Sequence, residues 1–124
     1  MHSEVKKIFI ADDDPDILDI LSIMLETQGY TVIKSDKANN IFEYSKGELP
    51  DLILLDIWMA GLDGREICEK LKRNELTKDI PVIFISANSS IEEITKEYNA
   101  NGFISKPFEM SYLLDIIHDN LLAC

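Results

Sequence analysis

The chain has 124 residues, 46% hydrophobic and 28% charged, a globular balance in a length that suits one domain spanning residues 1–124. Twelve Lys and Arg against 23 Asp and Glu leave a formal charge of −11, which repels phosphate backbones and anionic lipid and makes direct nucleic-acid or membrane binding unexpected. There is no apolar run near the roughly 18 residues of a membrane span, no signal-peptide core after the first seven residues, and only two cysteines, Cys68 and Cys124, so the cytoplasm is the expected compartment.

Short apolar runs alternate with helical patterns along the whole chain. The first run, Ile8-Phe9-Ile10-Ala11, is continuously apolar, as expected of a strand covered on both faces. Asp14-Pro15 then reads as a cap followed by proline in the first turn, Ile17, Leu18, Leu21, Met24 and Leu25 form one helical stripe, and Gly29 supplies a stop. Val32-Ile33 is a weaker run and reads as an edge strand. Ala38, Ile41 and Phe42 make a thin second helical stripe before Gly47. Leu52-Ile53-Leu54-Leu55 is a third run, and a third helix starts near Gly64 with Ile67, Cys68 and Leu71 inward. Its Glu66–Lys70 and Glu69–Arg73 pairs have the stabilising i,i+4 order. Val82-Ile83-Phe84-Ile85 follows. Ser90 with Glu93 three residues on predicts a capping box for a fourth helix that buries Ile91, Ile94 and Tyr98. The last strand holds Phe103-Ile104. The fifth helix is expected from about Phe108, with Met110, Leu113, Leu114, Ile117 and Leu121 inward. This βαβαβαβαβα order predicts an α/β fold, a doubly wound five-stranded parallel sheet with five helices.

The polar residues follow the strands. Asp12, Asp13 and Asp14 come directly after the first run, Asp56 after the third, Ser86 after the fourth and Lys106 just after the fifth. In a parallel sheet these points share the carboxyl edge, where ligands bind at the crevice of strand-order reversal. In the flavodoxin-like order 2-1-3-4-5 the first and third strands are neighbours, which brings Asp12, Asp13 and Asp56 together. Clustered carboxylates repel, and a hard divalent cation, Mg²⁺ or Mn²⁺, relieves them. Asp14 reads more simply as a helix cap. Lys106 would face the cluster as a point charge suited to a phosphoryl group, and the Ser86 hydroxyl would donate to a phosphoryl oxygen.

Ala11-Asp12-Asp13-Asp14-Pro15, Asp51-Leu52-Ile53-Leu54-Leu55-Asp56, Gly61-Leu62-Asp63-Gly64, Ile85-Ser86-Ala87 and Lys106-Pro107-Phe108 together resemble the receiver domain of two-component response regulators, over about Lys6 to Leu122. The resemblance implies that Asp56 accepts a phosphoryl group from a phosphohistidine on a histidine kinase or phosphotransfer protein. It implies Mg²⁺ on Asp13 and Asp56, with Asp12 in support and the Trp58 carbonyl as a further ligand. It gives Lys106 and Ser86 to the phosphoryl oxygens, makes Phe103 and Ser86 the switch residues, and makes Lys106-Pro107 a cis peptide. The output would be a changed face of fourth helix, fifth strand and fifth helix, read by a downstream protein. Such a domain is a phosphoacceptor rather than an enzyme, apart from its own phosphoryl transfer and slow autodephosphorylation.

The chain departs from the family pattern in places. Ala60 stands where proline is common four residues after the acceptor, and Trp58 is unusually bulky for its position. The expectation is that Trp58 shields the acyl phosphate from water. Residues 107 to 124 contain no Lys or Arg, which argues against the salt-bridged helix-four/helix-five dimer of many transcription-factor receivers. No further domain follows within these residues, and free-standing regulator and receiver of a hybrid kinase both stay open. Other classes fit less well. A haloacid-dehalogenase-type phosphatase needs Thr or Val where Pro15 follows the aspartates. A calcium loop starting at Asp12 needs Gly where Ile17 stands and Glu where Ile23 stands. A receiver that works unphosphorylated, as a pure interaction module, is the remaining alternative.

Overall fold

The computed structural model describes residues 5–36, 41–42, 49–59 and 62–122. Five parallel strands form one sheet: β1 (Lys7–Ala11), β2 (Thr31–Ser35), β3 (Leu52–Asp56), β4 (Val82–Ser86) and β5 (Gly102–Ser105). Their order is β2-β1-β3-β4-β5, the flavodoxin-like order expected. Four helices lie in the described residues: α1 (Pro15–Thr27), α2 (Gly64–Arg73), α3 (Ile91–Glu97) and α4 (Met110–Leu122). The helix expected around Ala38 to Gly47 falls mostly outside them. Only Ile41 and Phe42 of it are described, both helical, with Ile41 buried.

Unbroken apolar runs make the three central strands buried at every residue of β3 and β4 and nearly so in β1. Alternate side chains then feed two cores, as the period of two requires. Ile8, Ile10, Leu54, Ile83, Ile85 and Ile104 pack under α1 and α4. Phe9, Ile53, Leu55, Val82 and Phe84 pack under α2 and α3. β2 carries half-exposed residues, as befits an edge.

Local chemistry sets the helix ends. The Asp14 side chain accepts from Asp16 N–H and Pro15 occupies the first turn, while Gly29 ends the helix at φ +94°. Gly64 is required by close approach. A Cβ there would meet the Asp56 carbonyl oxygen at 2.5 Å and the Ile57 Cα at 2.9 Å. The start of α2 is thus pressed against the backbone that follows β3, tied by Gly64 N–H to the Ile57 carbonyl at 2.7 Å.

Three local expectations need correction. The Ser90–Glu93 capping box does not form: Ser90 makes no side-chain cap bond. Asn88 takes over, its side chain accepting from Ser90 N–H at 2.7 Å and its carbonyl from Ile91 N–H at 3.2 Å. Met110 is exposed, because α4 begins there and its inward face starts only at Leu113. Tyr98 is only partly buried, since it caps the end of α3. Lys106-Pro107 is cis, as expected. A two-residue antiparallel ribbon, Trp58–Met59 with Leu62–Asp63, has no periodicity long enough to be read from sequence. Among the described residues no helix is long and apolar enough to cross a membrane.

Candidate functional site

Register brings the strand ends level. Ala11 pairs with Leu55, Asp56 with Ile85 and Ser86 with Ser105. The residues just beyond these pairs therefore meet at one edge, and the expected cluster is there. Asp12, Asp13 and Asp56 each offer a carboxylate oxygen within 4.8 Å of the others. Asp12 is fully buried and Asp56 is 6% exposed, whereas Asp13 is exposed. Lys106 reaches in from the loop after β5, 94 residues along the chain, with Nζ 3.0 Å from Asp12 Oδ2 and 3.6 Å from Asp56 Oδ2. Lys106 N–H bonds to the Ser86 carbonyl at 2.9 Å, which fixes the loop that carries the ammonium.

The two buried carboxylates are held differently. Asp12 uses both oxygens: Oδ1 accepts from Asp14 N–H at 2.9 Å and Oδ2 from Lys106. Asp56 Oδ1 accepts from Trp58 N–H at 3.1 Å, while among the described residues Oδ2 has the longer Lys106 contact, at 3.6 Å. Burial, then the Asp12 charge, push the Asp56 carboxyl up to about 6, against the pull of Lys106 and the Trp58 N–H. Burial works against the Lys106 ammonium too, but its hydrogen bond to Asp12 and the charges of Asp56 and Asp12 outweigh this and raise its pKa. One ammonium thus faces three carboxylates in a partly dry site, a donor set that suits a hard divalent cation.

Asp56, Trp58, Ser86, Ala87, Asn88 and Lys106 line a pocket of about 380 Å³. Ser86 Oγ accepts from Asn88 N–H at 3.0 Å, which leaves its own proton to give. Phe103 lies beside Phe84 in register on β5, partly buried against the core under α2 and α3, one strand end away from the pocket. Asp14 serves as a cap, as read from the sequence. Arg65 was not singled out from the sequence, yet its guanidinium lies over the Trp58 ring, 4.4 Å from the centroid. No sequence signal marks it, because the stack depends on the ribbon that turns Trp58 back over α2.

An α/β sheet with acidic groups and a lysine converging at its switch point defines a small class of phosphoryl- and metal-binding proteins. The family model for the response regulator receiver domain matches residues 8–118, and the chain belongs to that family. It is 36% identical over 110 residues to the DNA-binding dual master transcriptional regulator RpaA of Synechocystis, covering 87% of this chain and 46% of that one. The chain spans about half the length of the curated relatives it matches. A receiver domain protein from Methanospirillum hungatei superposes with a TM-score of 0.87 at 30% identity, covering 97% of this chain and 96% of that one. The receiver domain of the sensor histidine kinase PA1611 of Pseudomonas aeruginosa, solved with a magnesium ion coordinated in its active-site cleft, shares the fold with a TM-score of 0.85 at 22% identity, covering 95% and 98%. The chain is thus a two-component receiver, a phosphoacceptor switch.

Proposed function

We propose that Asp56 is the phosphoacceptor, charged by a phosphohistidine on a histidine kinase or phosphotransfer partner. The observation that carries this reading is the pairing of a buried carboxylate, one oxygen loosely held, with Lys106 at 3.6 Å. Asp13 and Asp56, supported by Asp12 and joined by the Trp58 carbonyl, would hold Mg²⁺ or Mn²⁺, which supplies charge neutralisation for the transferred group. The exposed Asp13 is the open side of that set, and Asp12, with both oxygens already engaged, supports it from behind. Lys106 offsets the charge of the incoming anion and binds the phosphoryl oxygens once they arrive. The Ser86 hydroxyl donates to one of them.

The added charge of nearly −2 then competes with Asp12 for Lys106 and draws Ser86 inward. Ser86 ends β4 and Lys106 lies in the loop after β5, both next to the α3, β5 and α4 face, so this face, with Phe103 on it, is the one that changes. An apolar groove lined by Ile17, Ile20, Ala87, Lys106, Pro107 and Phe108 opens beside the site and shares Lys106 with it, a footing for the partner that delivers the phosphoryl group. The same reading makes residues 1–124 a single receiver that works in the cytoplasm, contacts no nucleic acid itself and hands its signal to a downstream protein or linked domain.

The test is intact-mass spectrometry after incubation with acetyl phosphate, with and without Mg²⁺, beside Asp56→Asn. A single Mg²⁺-dependent phosphoryl adduct, absent in the variant, is the expected result. An adduct that persists in Asp56→Asn moves the acceptor elsewhere.

A further inference from the structure

Trp58 stands on the rim of the Asp56 pocket with 47% of its surface exposed. A ring this exposed needs a partner to hold it in one place. Arg65 supplies one. Its guanidinium covers the indole at 4.4 Å and lies 5.7 Å from the Tyr98 ring at the end of α3. The guanidinium is in turn fixed by Asp63: Nε lies 3.0 and 3.2 Å from the two carboxylate oxygens, and Nη2 lies 2.7 Å from Oδ2. Asp63 is itself fixed as the cap of α2, accepting from Arg65 N–H at 2.9 Å. Each link is planar and directional, so the chain Asp63–Arg65–Trp58 restrains the ring that flanks the acceptor.

We propose that Arg65 is a positioning residue for phosphoryl lifetime, holding Trp58 as a fixed wall between Asp56 and bulk water. This rests on Asp56 being the acceptor. The reaction it slows is hydrolysis: a water oxygen bonds to phosphorus and the bond from phosphorus to the Asp56 oxygen breaks. The carboxylate is regenerated with the bond's electron pair, and both water protons leave on dihydrogen phosphate. Arg65 touches none of the reacting atoms and acts only through the indole.

The experiment loads the protein with acetyl phosphate and Mg²⁺, removes the donor, and follows loss of the adduct by intact mass. Wild type is compared with W58A, R65A, R65K and the W58A/R65A double variant. W58A and R65A each shorten the lifetime by about two- to fivefold, the rate equivalent of one cation–π contact. R65K, which keeps a cation near the ring, falls between R65A and wild type. The double variant decays no faster than W58A, because Arg65 has nothing left to position. Trp58 is the sole tryptophan, so the restraint has its own optical readout: R65A makes the indole more accessible to acrylamide quenching before any phosphoryl group is present. Equal lifetimes in R65A and wild type overturn the proposal, as do multiplying effects in the double variant or unchanged quenching in R65A. Failure of wild type to take up a phosphoryl group overturns the acceptor reading instead, and this proposal with it.

Discussion

Asp56 and Asp63 stand seven residues apart, one ending a strand and one opening a helix, yet their carboxyls are driven in opposite directions. Asp63 has a forked guanidinium and a backbone N–H, and the hydrogen bonds to Arg65 hold its carboxyl below the usual carboxylate range. Asp56 is more deeply buried, shares its cation with Asp12, and is pushed up to about 6. Structural carboxylates are satisfied by the fold alone. Asp56, the proposed acceptor, is left short of positive charge, and that deficit is what a metal ion and a phosphoryl transfer could use.

Gly64 joins the two aspartates, so its substitution breaks the comparison at its hinge. Gly64→Ala should cost about 3 kcal/mol of stability, since the added Cβ meets backbone rather than a movable side chain. A urea titration measures it, and it should also displace the Asp56 carbonyl and weaken Mg²⁺ binding.

Asp56→Asn should do the reverse and stabilise the metal-free protein by about 3 kcal/mol near neutral pH, the equivalent of its displaced pKa. The sign follows from the raised value. The folded state takes the proton more readily than the unfolded chain, so ionised Asp56 destabilises above about pH 6. The advantage of Asn should therefore shrink as pH falls from 6 towards 4 and vanish below. Thermal melts across that range check it, and Mg²⁺ should erase most of the difference by stabilising wild type alone.

Asp63→Ala should cost about 1 kcal/mol at neutral pH, from loss of the cap. Its pH dependence runs the other way. Because the folded carboxyl lies below its ordinary value, its contribution is present above that value and lost as pH falls through the folded one. At the small end, Glu69→Ala removes an exposed 3.5 Å pair with Arg73 and should cost no more than about 0.5 kcal/mol of stability, measured by urea titration. A larger effect would mean that α2 depends on its surface charges.

The fold was largely legible because the burial pattern of a parallel sheet is written directly into continuous apolar runs. Ile8 to Ala11, Leu52 to Leu55 and Val82 to Ile85 are buried strands as read, and the polar residues that end them converge as read. What escaped was non-periodic or decided by competition. The Trp58–Met59 ribbon is too short for any period. Ser90 lost its capping role to Asn88, a choice set by which residue the loop after Ser86 brings close. Arg65 is invisible because nothing in a helical Gly-Arg-Glu marks one cation out of 12 Lys and Arg. The unequal bonding of Asp12 and Asp56 depends on distances of a few tenths of an ångström, which no spacing rule resolves.

The contact between Lys106 and Asp12 spans 94 residues and closes only when β5 has joined the sheet beside β4. Until that last strand is in place, the aspartates of the first half of the chain have no ammonium to face. If Asp56 is the acceptor and Lys106 serves it as proposed, competence to receive a phosphoryl group is itself a report that β5 is in place. A chain still emerging from the ribosome, or one clipped before Lys106, carries Asp56 but should stay silent to its kinase.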